Sequence, residues 1–494
     1  MNKKRIMKKL YFIFILIVAW IIISNSNAYE IKIKFTNLKN VPVYLGYYIS
    51  KTPYALDTAY VDKNGLAVFK DKKVLPGGMY LIFIPSMKFF EIIIDKEQNF
   101  SIEADTTDFI EFTKFKGSKD NIIFYDFQRY IKKAKERFDD MASKLKTVQD
   151  EKEKSKIIEE IKKINQDRIN YIKKIYNENP DLFISKFLMA TVDMEVPEPP
   201  TLADGKKDSL WQYYYYRNHY FDNFDPGDPR LLRTPLYEDK IMNFLDKVIP
   251  QIPDSIIPYV DMLIEKSKHD STLFRYMLIT LFNHYAKSNI MGMDAVYIHI
   301  ADKYYIKEAW WSDKKFIEDL KDKVEKTKPL LIGKIAPDIQ LLYVPAAHFQ
   351  AAANDTALKK YPHVGQQFNL HNLKAKYIIL IFWEADCGHC KKAVPELYKI
   401  YEEKFKPEKD IIIVAVSTLF GEEGKVKWVN FVNEHKLYDW INAWNPYSYQ
   451  FKLTYDITST PQIYVLDENK KIIAKRIAVE QIPEIIEIHK KMKK

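Results

Sequence analysis

Two cysteines are all that this chain of 494 residues contains, and they stand one helical turn apart in Cys387-Gly388-His389-Cys390. A thiolate is a nucleophile, and two thiols at this spacing can exchange with a disulfide through a mixed intermediate. The residues before the pair, Tyr377 to Trp383, form a continuous apolar run, as expected of a central strand covered on both faces. A helical pattern follows from Cys390 to about Lys404. Cys387 therefore falls where a buried strand gives way to a helix start, and unpaired N–H groups and the helix dipole favour an anion there. We expect Cys387 to attack and Cys390 to resolve.

The neighbouring residues pull in opposite directions. A cationic His389 would stabilise the thiolate and make the disulfide more oxidising, whereas Glu384 and Asp386 would disfavour it. Gly388 and His389 form the dipeptide between the sulfurs, and Glu384 is either a proton relay to Cys390 or, more simply, an exposed loop acid. Other uses of such a pair fit less well. A covalently attached haem needs His directly after the second Cys, where Lys391 stands. Structural zinc needs four ligands, and there is no second Cys pair. Copper shared with a distant His such as His435 has no spacing to support it. The expected redox group is the Cys387–Cys390 disulfide itself, with no metal and no separate cofactor.

The elements that position this pair follow from the pattern around it. Asp410 to Ser417 reads as a second buried strand, Gly424 to His435 as a helix, and Trp440 to Trp444 as a short strand. Gln462 to Leu466 and Lys471 to Ile477 read as strands joined by Asp467 to Lys470, with a last helix from about Ile482. This alternation is the order of a thioredoxin domain.

Upstream, residues 29 to about 115 alternate with period two, as in Ile31, Ile33 and Phe35, and Asn64-Gly65 is a hairpin turn signal. They predict a small antiparallel β domain, sandwich-like in architecture by its strand spacing. From about 116 the period becomes helical. Phe124, Phe127, Ile131, Ala134, Phe138, Met141 and Leu145 form one stripe, and Ile157 to Ile175 another that Arg168 interrupts. These predict an antiparallel helix pair with one apolar seam, read as core rather than as a cofactor or partner groove. Glu195 to Gly205 reads as a loop, Asp225 to Pro235 carries three prolines with Arg230 and Arg233, and helical patterns follow to about Lys326. The run Trp211 to Tyr216 reads as a helix packing aromatics on both sides, with a sugar or peptide surface as the alternative.

The first residues read as an export signal. Lys3, Lys4, Arg5, Lys8 and Lys9 precede a 14-residue apolar run, and Ser26-Asn27-Ala28 supplies small residues for cleavage. The run is short of the roughly 20 residues of a membrane span, so an uncleaved anchor is the lesser alternative and the only expected membrane contact. The net charge of +10 falls to +5 once the five bases of this segment are set aside, and no basic cluster suits a nucleic acid. The expected location is the periplasm or cell envelope.

Taken together, Gly333-Lys-Ile-Ala-Pro-Asp338, Phe382-Trp383, Cys387 to Cys390, the helix proline Pro395 and Thr460-Pro461 resemble the TlpA/ResA-like thiol–disulfide oxidoreductases over about residues 330–494. The resemblance implies a thioredoxin fold, with Pro461 as a cis proline opposite the cysteines and with Trp383, Thr460 and Pro461 contacting substrate. It implies protein thiols and disulfides as substrates, an envelope electron donor as partner, and a reductase rather than an oxidase. Two positions depart from the pattern. Ile381 stands where thioredoxin keeps a buried acid, and Ala393 stands where ResA-like proteins often carry one. Residues 29–328 are similar to β and helical modules that precede such domains in exported proteins of Gram-negative bacteria.

The expected architecture is multidomain: a signal segment at 1–28, an all-β domain at 29–115, an all-α domain at 116–328 and an α/β thioredoxin fold at 329–494. Two other functions compete. A peroxiredoxin-like peroxidase wants Pro and Thr where Leu380 and Glu384 stand. A glycan- or peptide-binding envelope protein would rest on Tyr213 to Tyr216.

Overall fold

The computed structural model describes residues 28–85, 88–202, 205, 207–360, 365–445 and 448–493. Apart from Ala28, the segment read as an export signal lies outside these residues. Among them, no helix is long and apolar enough to cross a membrane. The chain divides into two compact units, Met1–Pro250 with Met262–Phe274, and Gln251–Asp261 with Arg275–Lys494. The helical stretch after residue 116 contributes to both.

The first unit opens with eight strands: β1 (Tyr29–Phe35), β2 (Val41–Ile49), β3 (Thr52–Val61), β4 (Leu66–Asp71), β5 (Gly78–Phe83), β6 (Phe89–Ile94), β7 (Asn99–Ala104) and β8 (Lys114–Lys116). They form two four-stranded sheets, ordered β4-β1-β7-β8 and β3-β2-β5-β6. The period-two pattern is the cause: Ile31, Ile33 and Phe35 are buried while Lys32 and Lys34 between them are exposed. Two details differ from the sequence reading. β1 and β7 run parallel, so the domain is not purely antiparallel. Asn64-Gly65 turns the chain, but β3 and β4 pair in different sheets, so the turn joins sheets rather than closing a hairpin. Gly65 has φ +83, and a Cβ there would collide with the Phe35 carbonyl.

Helix α1 (Lys119–Thr147) is capped by Ser118 and docks its first turns on the free edge of β6. The Asn121 amide accepts from the Ile93 N–H at 2.7 Å and donates to the Ile93 carbonyl at 2.6 Å, satisfying a strand edge that would otherwise stay open. Helix α2 (Glu151–Glu178) is capped by Asp150 and returns alongside α1, followed by α3 (Phe183–Ala190). The seam is only partly core. Ile157, Ile164, Ile172 and Ile175 of α2 are buried, but on α1 the buried side chains stop at Tyr125, and Phe138 is 43% exposed. Helix α4 (Trp211–His219) buries no residue, and Trp211, Tyr215 and His219 stack in turn along it. Arg230 sits within the unit between Asp95 at 3.0 Å and Asp228 at 2.6 Å.

The second unit is built on a seven-stranded sheet. Its strands are β9 (Gln340–Tyr343), β10 (Gln367–Asn369), β11 (Tyr377–Trp383), β12 (Ile411–Ser417), β13 (Ile441–Trp444), β14 (Gln462–Asp467) and β15 (Ile472–Lys475), ordered β10-β9-β13-β12-β11-β14-β15. β11 is parallel to β12 and antiparallel to β14, and every residue of it is buried. Its alternate side chains enter two cores. Ile379, Ile381 and Trp383 pack with Val394 and Leu397 of helix α5 (Cys390–Ile400), while Ile378, Leu380 and Phe382 pack with Phe451 and Tyr455. Helices α6 (Gly421–Glu434) and α7 (Ile482–Met492) complete the layers. The helices before Pro329 join this unit through ion pairs of Lys323 with Asp456 at 2.7 Å and of Asp294 with the buried Lys475.

Candidate active site

Both cysteines are free thiols, and the strand-to-helix junction gives them unlike surroundings. Cys387 lies in the turn after β11, its N–H donating to the Glu384 carbonyl at 3.2 Å, and is half-buried. Its sulfur donates to the Thr460 carbonyl at 3.3 Å. Partial burial pushes this thiol up. The N–H of Cys390, the Thr460 side chain, the Cys390 thiol and the N–H of His389 together outweigh that, leaving Cys387 below the ordinary thiol range. Cys390, in the first turn of α5, is fully buried, and burial pushes it up to about 12. The Glu384 N–H, 3.5 Å from its sulfur, opposes that shift. The pair thus joins an accessible acidic thiol to a buried basic one.

The residues around them are partly as the sequence implies and partly not. Thr460-Pro461 is a cis peptide, and both residues are half-exposed beside Cys387. Gly388 is exposed, with nothing within 4 Å of where a Cβ would stand. His389 occupies the N-cap position of α5 with an exposed side chain, so its backbone N–H is the part that reaches Cys387. Trp383 corrects an expectation. It does not face substrate but is 0% exposed and packs on Phe431 at 5.1 Å, because the last residue of β11 points into the same core as Ile381.

Glu384 is not the exposed loop acid of the simpler reading. It is half-buried, accepts from the Thr418 hydroxyl at 2.7 Å, and has the Lys452 ammonium 3.8 Å away. Asp386 is exposed and paired with Lys427 at 3.0 Å. Each acid is met by a cation, which weakens its push against a Cys387 thiolate. Thr418, Lys427 and Lys452 escaped the sequence reading because nothing in their spacing links them to the cysteines. Ile381 and Ala393 supply no acid, as their identities dictate. Among the described residues no cluster of His, Cys, Asp and Glu could hold a metal ion.

Comparison with known proteins bears on this site and on the modules before it. A family model described as thioredoxin-like matches residues 374–473. Two others, described as domains of unknown function (DUF4369 and DUF5106), match residues 29–124 and 144–327. The thiol-disulfide oxidoreductase ResA of Bacillus thuringiensis is 28% identical over 123 residues, covering 25% of this chain and 66% of ResA. The chain therefore spans just under two thirds of the length of that curated relative. Among solved structures, a domain of a "possible thiol-disulfide isomerase" from Cytophaga hutchinsonii is 33% identical, with 33% of this chain and 96% of that one covered at a TM-score of 0.27. The thioredoxin domain of a thiol-disulfide oxidoreductase from Bacteroides vulgatus is 27% identical, with 32% and 96% covered at a TM-score of 0.25.

Proposed function

Because the chain is a TlpA/ResA-like thioredoxin-fold protein, we propose that it is an exported thiol–disulfide oxidoreductase working as a protein disulfide reductase through Cys387 and Cys390. The observation that carries this reading is the contrast between the two thiols, one accessible and below its ordinary range, the other buried and near 12. The Cys387 thiolate attacks one sulfur of a substrate disulfide, forming a mixed disulfide and expelling the other sulfur as a thiolate. Cys390 then loses its proton and attacks the Cys387 sulfur, releasing the second substrate thiol and leaving the Cys387–Cys390 disulfide. Two electrons pass to the substrate, and an envelope dithiol donor restores the pair.

The surrounding groups have matching roles. The N–H groups of Cys390 and His389 hold the attacking thiolate, and the N–H of Glu384 meets the resolving one. Glu384, fixed by Thr418, tunes the pair from beside Cys390. The half-exposed Thr460 and Pro461 receive the substrate chain. Export to the periplasm is supported by the basic and apolar pattern of residues 1–28.

Trapping tests the order of events. Cys390→Ser removes the resolving thiol, so after expression and export it accumulates covalent adducts that collapse with reductant, and mass spectrometry of these identifies substrates and donor. Cys387→Ser gives few or none. If Cys390→Ser yields no adducts beyond those of the double Cys variant, protein disulfides are not the substrates.

A further inference from the structure

The first unit holds a cavity of about 900 Å³ that the thiol chemistry does not use. That volume is near the top of the range of about 300–1,000 Å³ typical of small-molecule sites. Its apolar wall comes from the part of the α1 stripe that fails to become core, Phe127 and Ile131, joined by Phe187 of α3 and Met79 of β5. A half-buried aromatic and aliphatic wall facing an empty space of this size lacks the partner atoms that close a protein interior.

The charges around the wall are unequal. Two carboxylates line the cavity, and both are engaged: Asp108 pairs with Lys132 at 2.6 Å, and Glu91 accepts from the Tyr48 hydroxyl at 3.0 Å. Burial pushes the Glu91 carboxyl up, so it resists ionising. Two further cations, Lys135 of α1 and Arg168 of α2, also line the cavity, and among the described residues neither has a carboxylate partner. Arg168 is half-buried and reaches only the Asn165 amide oxygen, at 3.2 Å. The position where Arg168 breaks the apolar stripe is therefore where the cavity turns positive.

We propose that this cavity binds a single-chain amphiphilic anion, a free long-chain carboxylate, with its hydrocarbon along Phe127, Ile131 and Phe187 and its head group at Lys135 and Arg168. An apolar ligand alone would leave two cations facing it unpaired, and a compact polar anion would leave the wall uncovered; the amphiphile satisfies both. The inference is independent of the cysteines, which belong to the other unit.

The test is a titration of the full reduced chain with cis-parinaric acid, a fluorescent long-chain carboxylate, below its aggregation concentration. Saturable one-to-one binding is expected, displaced by oleate and at least tenfold less well by methyl oleate. Lys135→Glu combined with Arg168→Glu changes only half-buried and exposed positions, so folding is retained. It should weaken the carboxylate at least tenfold and leave the methyl ester within twofold. Ile131→Trp, which fills the cavity, should weaken both. Absence of saturable binding, equal affinity for acid and ester, or indifference to the charge reversal each overturns the proposal. Binding to phosphatidylglycerol vesicles with none to the free carboxylate also overturns it, in favour of a membrane surface.

Discussion

Asp120 and Cys387 are both acids at the start of a helix, one in each unit, and they are driven in opposite directions. Asp120 lies in the first turn of α1 and accepts from the Ile184 N–H at 2.8 Å, yet its carboxyl is pushed up to about 6. Burial is the largest cause, only partly offset by that N–H; Asp95 and Glu97 add to it, and Arg230 opposes it. Burial is also the largest single influence on Cys387, but there the donors converging on one half-exposed sulfur prevail. A helix start therefore does not by itself make an acid stronger. The outcome depends on how many donors reach the group against how much water it has lost.

The largest expected effect breaks the comparison at Cys387. Cys387→Ser should reduce disulfide exchange to the level of the double Cys variant, measured with a fluorescent disulfide peptide, while cis-parinarate binding in the other unit stays unchanged. The pH profile sharpens it. Because the Cys387 pKa is depressed, its alkylation rate in the native reduced protein should level off at a pH below the ordinary thiol value of about 8.5. Cys390, held near 12, should stay unlabelled until the protein is denatured. Labelling of Cys390 first would reverse the assigned roles.

The next effect is one of stability and has the opposite sign from the usual acid. A carboxyl whose folded pKa is raised holds its proton more tightly when folded, so stability falls as pH rises from about 4 to about 6 and stays lower above that. The rise to about 6 corresponds to about 3 kcal/mol at neutral pH. Asp120→Asn keeps an acceptor for the Ile184 N–H without the charge. It should raise the midpoint of the thermal transition that includes α1 at pH 7 and change it little below pH 4. An equal effect at both pH values would mean that the substitution acts through packing and not through ionisation.

How much of this was legible in the sequence depended on how local the cause is. The Tyr377–Trp383 run, the cysteine spacing and the helix after it lie within a few residues of one another, and their assembly followed the pattern closely. A continuous apolar run, however, carries no information about which alternate residues face which core, so it could not correct the substrate contact that the resemblance implies for Trp383. The bond from Thr418 to Glu384 spans 34 positions, and sheet pairing, not spacing, creates it. β9 and β10, four and three residues long, are too short for any period to show. In the first unit the Asn64-Gly65 signal reported a turn correctly but could not report that its two strands join different sheets. The α1 stripe likewise reported one apolar face without saying that only its beginning is fully buried, because what covers a helix is decided by elements far along the chain.

The smallest effect separates two readings of His389. Its side chain is exposed at the N-cap of α5, while its backbone N–H is one of the donors acting on Cys387. His389→Ala removes the imidazole and keeps the N–H; His389→Pro removes both, since proline has no amide hydrogen. If the backbone donor does the tuning, the proline variant should raise the Cys387 pKa and move the disulfide potential to a more negative value, and the alanine variant should move it far less. Loss of one such donor at about 1.4 kcal/mol would appear as about 30 mV in an equilibrium against a glutathione series. The sign follows from the cycle: a less stable thiolate makes the reduced form less favourable, so the disulfide becomes harder to reduce. A shift of equal size in the two variants would assign the tuning to the imidazole. A shift toward more positive potential in the proline variant would remove residue 389 from the stabilisation of Cys387 and leave the N–H of Cys390 and the Thr460 side chain to account for it.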